Sequence, residues 1–211
     1  MTKIHMEQYP RLAKLLTECF FEDRLVSWQI RGIEDPEIFL EKLFLIQIPV
    51  FDKTCEMNTL DDNLDSLIIG YEKKKFNQIK LILLSIFYQL KFRNELNGSD
   101  LKIYKENGKA VLRDLDLKWY KEFIKGNYYY IKAIAIKKGS RGKGVFRQLI
   151  TPVLDYCNEN SLPIILETNT SENVPVYRHF GFELVKTIKN KGGDFCQYCL
   201  IRKPETEQAN V

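Results

Sequence analysis

The stretch IKAIAIKKGSRGKGVFRQLI, Ile131 to Ile150, decides how the chain is read. It starts with alternating apolar residues, the period-two pattern of a strand. It then passes through Gly139, Gly142 and Gly144, set among Lys137, Lys138, Arg141, Lys143 and Arg147. It ends as the start of an amphipathic helix. A strand that feeds a helix through a tight glycine turn leaves main-chain N–H groups free at the helix N-terminus. Those groups and the helix dipole make a site for an anion. Glycine also removes the side chains that would hold a phosphate at a distance. The stretch reads as a phosphate or pyrophosphate cradle, with a solvated turn as the alternative. It is not a P-loop, because no Ser or Thr follows Lys143 to hold magnesium. Nor is it the dinucleotide G-x-G-x-x-G, whose third glycine is here Arg147.

On either side of this stretch the second half reads as strand, helix, strand, short helix, strand, strand. NYYYIKAIAIKK is a strand and GVFRQLITPVLDYCNEN a helix. LPIILETN is a buried strand, and VPVYRHF is one or two helical turns. FELVKTIKN and DFCQYCLIR close as a hairpin around Lys191-Gly192-Gly193. The first half reads as helices with one hairpin. YPRLAKLLTECFF has apolar residues at helical spacing, and RLVSWQI is ambiguous. DPEIFLEKLFLIQIPVF offers Asp35 as N-cap and Pro36 at the first helical position. CEMNTL and SLIIGYEKK are strands around a turn. An apolar helix from about Asn77 to Phe92 is expected to be buried or to line a groove. The segment from Asn94 to Ile124 is expected as two helical pieces broken at Gly98 and Gly108.

The bulk numbers exclude some classes. A net charge of +4 from 32 cations and 28 anions is too mild for a dedicated nucleic-acid binder. No apolar run approaches the ~20 residues of a bilayer span, and no secretory signal is evident, so no membrane partner is expected. The five cysteines are an odd number in a chain large enough to form a core without staples. They read as reduced thiols, hence a cytoplasmic protein. Cys196 and Cys199 form a C-x-x-C with no second ligand pair; on a strand they face opposite sides, so no metal is expected.

Three motifs in order carry a resemblance. RGKGVF is similar to the R/Q-x-x-G-x-G/A signature of the GNAT family of N-acetyltransferases, with Arg141 at R/Q and Gly144 at the first glycine. Phe146 stands where that family has Gly or Ala. LPIILETNTSENVPVYRHFGFELV resembles the following strand and the N-x-P-x-Y-x-x-x-G-F helix, and KGGDFCQYCLIRKP the glycine turn and last strand. The match runs from about Tyr128 to Pro204 and is similar to the branch containing puromycin N-acetyltransferase.

The resemblance implies one GNAT domain over 1–204. Residues 1–127 would form the acceptor side, 128–204 an acetyl-CoA-binding core, and 205–211 a frayed tail. The fold is α+β (α/β): a central mixed, mostly antiparallel sheet with splayed parallel strands and helices on both faces. Acetyl-CoA would lie between the strands IKAIAI and PIILE. The backbone of Ile134, Ala135 and Ile136 would bond the pantetheine arm and thioester oxygen. The amides of Gly142, Lys143, Gly144, Val145 and Phe146 would bind the pyrophosphate with Arg141, and Asn173 would reach the pantetheine. Tyr177 would protonate the departing thiolate, and Glu167 would take the ammonium proton, with Glu172 as a second candidate. Each has a plainer alternative: Tyr177 packed, Glu167 in a strand-end salt bridge, Asn173 an N-cap. His179 reads as a surface or structural histidine.

The acceptor would be a small-molecule amine entering from the opposite face. That face is expected to gather Phe20, Phe21, Trp28, Tyr71, Phe76, Phe87, Tyr88 and Tyr128 to Tyr130, with Asp23, Asp61, Asp62 and Asp65 as candidate carboxylates. A non-catalytic CoA-binding module and a nucleotide-binding protein using Gly142–Gly144 are the alternative functions. A homodimer is the commonest arrangement for such chains, though no feature demands it.

Overall fold

The computed structural model describes residues 4–60, 62–191 and 195–205. Asp61, the glycines of the expected closing turn and the tail from 206 lie outside them.

The helices are α1 (Tyr9–Phe20), α2 (Arg24–Gln29), α3 (Pro36–Thr54), α4 (Gln78–Lys91), α5 (Gly98–Asp114), α6 (Val145–Glu159) and α7 (Asn173–His179). The strands are β1 (Glu56–Asn58), β2 (Ser66–Glu72), β3 (Tyr129–Ile136), β4 (Ile164–Thr168), β5 (Glu183–Lys189) and β6 (Cys196–Arg202). They form one sheet in the order β1-β2-β3-β4-β6-β5, in which only β3 and β4 run parallel. This is the mixed, mostly antiparallel sheet that the resemblance implied.

Both faces of the sheet are covered, so β2 is apolar almost throughout. Ile68, Tyr129, Ile131, Ile164, Leu166 and Leu200 face α6 and α7, against Leu149, Ile150 and Val153 of α6. Leu67, Ile69 and Ala135 face α1, against Leu12 and Leu16. Further along that second face, Ile165, Cys199 and Ile201 pack on Trp119 from the 3-10 turn Trp119–Glu122. α2, α3, α4 and α5 share a separate apolar cluster outside it.

β3 contains a bulge. Ile69 pairs with Ala133 and Gly70 with Ile131, so Lys132 has no partner on β2. The inserted residue shifts the side-chain alternation: Tyr129 and Ile131 face α6 before it, Ile134 and Ile136 after it. Beside the bulge, Gly70 leaves room for the Tyr129 ring. A Cβ there would stand 2.5 Å from the Tyr129 ring and 2.9 Å from the Tyr130 carbonyl oxygen.

A buried carboxylate ties α6 to β2. Glu72 accepts from the Tyr156 hydroxyl at 2.6 Å, the Asn127 amide at 2.5 Å and Lys75 at 2.9 Å. These donors, the Tyr156 hydroxyl first, hold its pKa down at about 2.

Two local expectations are corrected, and the expected N-cap of α3 holds in position. α5 runs unbroken through Gly108, because a helical glycine costs only about 1 kcal/mol and Asn97 caps the start by accepting from the Ser99 N–H. Asp35 occupies the N-cap of α3 without a side-chain cap bond. α4 is not buried: none of its residues is, and Ile79, Ile82, Leu83, Ile86, Phe87 and Leu90 are exposed.

Candidate active site

β3 and β4 pair only at Tyr129–Ile164 and Tyr130–Ile165. Beyond that point they diverge, which leaves the facing edges of Ile131–Ile136 and Leu166–Thr168 without strand partners across the gap. The two strands that the resemblance implied would splay do so.

The glycine turn lies past the open end of β3. Gly142 and Gly144 have φ of 75° and 77°, the left-handed region that glycine adopts without a Cβ penalty. No atom lies within 4 Å of where a Cβ would stand at either, so the space beside the turn is open. α6 has no side-chain N-cap, and its first main-chain bond runs from the Gln148 N–H to the Gly144 carbonyl at 3.1 Å. Among the described residues, the N–H groups from Gly142 to Arg147 meet no protein acceptor. Lys138 and Lys143 are exposed beside them. Six orphan donors, an open cradle and free cations suit a diphosphate.

The other cations of the stretch are engaged. Lys137 pairs with Asp65 at 3.2 Å. Arg147 donates to His179 Nε2 at 3.0 Å and lies 5.0 Å over the Phe180 ring, so His179 is a surface partner there. Arg141 folds back, its Nε donating to the Ile136 carbonyl at 2.9 Å, and its guanidinium reaches the Cys19 thiol. That contact brings the α1–α2 corner over the end of β3. Burial raises the Cys19 pKa more than Arg141 lowers it. Phe146, at the family's small-residue position, lies within α6 and packs edge-on against Tyr177 at 5.8 Å and Phe180 at 5.0 Å.

Tyr177 is half-buried between Phe146 and Phe182. Its hydroxyl meets no hydrogen-bond partner among the described residues, and burial raises its pKa to about 12. Asn173 is the first residue of α7 rather than its N-cap, which is Glu172, and its amide donates to Thr168 Oγ1 at 3.2 Å. Glu172 is exposed and its pKa is lowered, first by its own main-chain N–H and then by Ser171. A carboxylate held in its charged form is a poor base.

Glu167 lies on the opposite face of the sheet. Its carboxylate accepts from Trp119 Nε1 at 2.5 Å and from the Tyr130 hydroxyl at 2.6 Å. Tyr130 is on β3 and Glu167 on β4, so the second bond spans the start of the splay. The partners are neutral donors, so the alternative reading of Glu167 as a strand-end salt bridge does not hold. Burial and then the charge of Glu167 raise the pKa of Tyr130, so its hydroxyl stays a donor. The turn bearing Trp119 is held to the hairpin by Lys186, which bridges Asp116 at 3.1 Å and Glu122 at 2.5 Å. The sequence pattern gave no sign of Trp119. It lies 48 residues from Glu167, and its only cue is that a buried tryptophan needs an acceptor.

The other expected acceptor residues do not converge. Tyr71 stacks on Phe76 at 3.9 Å and meets Tyr130 edge-on, close to Glu167. Phe20 pairs with Phe44, Phe21 and Tyr88 lie in the outer helical cluster, and Phe87 is exposed. Trp28 borders a cavity of about 310 Å³ with Val111, Asn190 and Phe195. Tyr129 faces α6 and donates to Glu56 at 3.0 Å. Asp23 caps α2, and Asp65 bonds Lys137 and Ser140. All five thiols are free, and no His, Cys, Asp or Glu cluster suited to a metal occurs among the described residues.

Residues 119–198 match the family described as an acetyltransferase (GNAT) domain. The matched stretch is less than half of the chain. The match begins at Trp119 and takes in the glycine turn, Glu167 and Tyr177. A protein of Schizosaccharomyces pombe named as an uncharacterized N-acetyltransferase is 31% identical over 128 residues, covering 60% of this chain and 51% of that protein. The chain thus spans about half the length of this curated relative. Two solved structures share the fold over nearly their whole length. One, from Corynebacterium glutamicum, is described as histone acetyltransferase HPA2 and related acetyltransferase; its TM-score is 0.65 at 15% identity, covering 99% of this chain and 97% of that one. The other is arylalkylamine N-acetyltransferase 2 of Aedes aegypti, with a TM-score of 0.58 at 14% identity, covering 97% and 98%. At such identities the likeness concerns the fold alone.

Proposed function

We propose that the chain is an N-acetyltransferase that moves acetyl from acetyl-CoA to a primary amine of a small molecule, by direct attack in a ternary complex. The observation that carries this reading is the divergence of β3 from β4 beside a glycine turn with six unbonded amides. When bound there, acetyl-CoA supplies an activated acyl carbon.

The chain's own groups divide the remaining work. The amides from Gly142 to Phe146, with Lys138 and Lys143, hold the diphosphate, while Arg141 braces the end of β3. The free edge of Ile134 to Ile136 orients the pantetheine arm and offers N–H groups to the developing oxyanion, commonly the largest electrostatic contribution. Tyr177, protonated at neutral pH, gives its proton to the leaving sulfur. On the other face Glu167, held by Trp119 and Tyr130, takes the proton from the incoming ammonium. Tyr71, Phe76 and Tyr130 line the approach beside it, which suits an apolar amine. Residues 1–127 supply the acceptor side and 128–204 the acetyl-CoA side of one domain.

Thermal denaturation with acetyl-CoA, CoA and ATP tests the binding step. A ligand specific for the native state at a hundred times its dissociation constant adds about 2.7 kcal/mol. Stabilisation by ATP alone would overturn the reading. Thiol release over a panel of amines then tests transfer; binding with no turnover on any amine would leave a non-catalytic CoA module instead.

A further inference from the structure

The outer face of α4 has no role in acetyl transfer, and its chemistry is unusual for a helix at the surface. Ile79, Ile82, Leu83, Ile86, Phe87 and Leu90 are exposed by between 49% and 71%. At 3.6 residues per turn these six form one continuous stripe. The inner residues Leu81, Leu84, Ser85 and Tyr88 turn away from the stripe and are less exposed, with Tyr88 packed in the outer helical cluster. Both faces are therefore apolar, a pattern that in a helix normally means burial on all sides.

The surroundings of the stripe indicate what covers it. Lys80 and Lys91 fall on one flank and the neutral Gln78 and Gln89 on the other. Between Glu72 and Glu95 there are six cations, Lys73, Lys74, Lys75, Lys80, Lys91 and Arg93, and no acidic residue. Lys75 is committed to Glu72 and Tyr156. Lys74, Lys80 and Arg93 have exposed side chains with no ion-pair partner among the described residues.

We propose that this face lies on an anionic lipid surface, with the stripe entering the headgroup boundary and the flanking cations on acidic headgroups. Two observations favour lipid over a folded partner. Specific protein interfaces carry about one hydrogen bond per 100–200 Å². The stripe has no side chain to make one, and the nearby Ser85 hydroxyl is spent on the Leu81 carbonyl. An apolar fluid requires no such bonds. A second copy laid stripe to stripe would also bring no carboxylate from residues 73–94 to the cations. Among the described residues no helix is long and apolar enough to cross a membrane, so α4 lies in the interface plane, as cationic amphipathic helices do.

The test is flotation of the full chain with vesicles of phosphatidylcholine alone and of equal parts phosphatidylcholine and phosphatidylserine. Binding is expected to the anionic vesicles and to weaken in high salt. The double variant Leu83→Glu, Phe87→Glu should lose flotation while keeping its thermal midpoint, because both side chains are already in water. Charge removal in Lys80→Gln, Lys91→Gln should lower the partition coefficient by about fivefold per cation, with folding unaffected. Absence of flotation at low salt, or flotation indifferent to the Leu83/Phe87 variant, overturns the proposal. So does a dimer in light scattering that this variant splits without any flotation of the wild type, which would assign the stripe to a second copy.

Discussion

The two faces of the sheet at the start of the β3–β4 divergence differ in kind. On one, Tyr177 sits among Phe146 and Phe182, and its hydroxyl has no partner among the described residues. On the other, Glu167 is gripped by two donors from two different elements. The first environment keeps a phenol neutral. The second fixes a carboxylate in one orientation. In the proposed mechanism the sheet keeps the proton donor and the acceptor apart, and the gap between strands would let both reach one reacting centre.

That contrast can be broken first at Glu167. Glu167→Gln keeps an oxygen for Trp119, removes the charge, and puts an N–H opposite Tyr130, whose hydroxyl must then accept instead of donate. Turnover should fall by about 10²- to 10⁴-fold, the usual contribution of a general base, with acetyl-CoA binding unchanged. Steady-state kinetics beside a thermal shift with acetyl-CoA decide the matter, and full activity would leave Glu167 a structural pin. Tyr177→Phe should cost about a hundredfold in kcat. Because no protein bond is lost, its thermal midpoint should stay put or rise. With the phenol pKa at about 12, the wild-type pH–rate profile should show no loss of this acid below pH ~10. A marked loss of stability would instead mean that the hydroxyl is paired.

A smaller effect is expected at the turn. Gly144→Val forces a branched residue to φ 77° and crowds the open cradle. It should raise the KM for acetyl-CoA by about tenfold or more while the amine KM stays fixed; a β-branched residue in this region costs on the order of 1–3 kcal/mol. The smallest effect on turnover, though a clear one on stability, belongs to Glu72. Its folded pKa of about 2 lies below its ordinary value of 4.5. Its contribution is therefore complete above pH ~4.5 and is lost as pH falls towards 2. Glu72→Gln should be less stable at neutral pH, by on the order of 2 kcal/mol, and should converge on the wild type only near pH ~2 in chemical denaturation. Parallel curves at both pH values would sink that assignment.

Much of the second half was legible because local chemistry determines it: glycines where φ is positive, period-two strands, and a proline in the first turn of α7. The order β4-β6-β5 follows from a terminal hairpin folding back onto a buried strand. What could not be read depends on contacts between distant positions. Trp119 meets Glu167 only because Lys186 anchors its turn, and no spacing signals that. Arg141 has the right identity for an anion, but the free carbonyl of Ile136 captures it. The tyrosines of Tyr128–Tyr130 alternate between faces, so a run that looks like one aromatic wall is divided between two. Helix α4 misled because apolar composition reports what a surface prefers to touch, and in an isolated chain half of that surface has nothing to touch.

The bulge at Lys132 has a consequence for the site. Like an inserted base in a coding frame, it puts every later β3 side chain out of phase with those before. Downstream of it, the small Ala133 and Ala135 lie beneath α1, and the larger Ile134 and Ile136 point to α6. Excising Lys132 would leave Ile131 and Ala133 consecutive opposite Gly70 and Ile69, so Ile134 and Ile136 would keep their present face while the local kink disappeared. What the extra residue adds is bend and twist, set just past the last pair that β3 makes with β4.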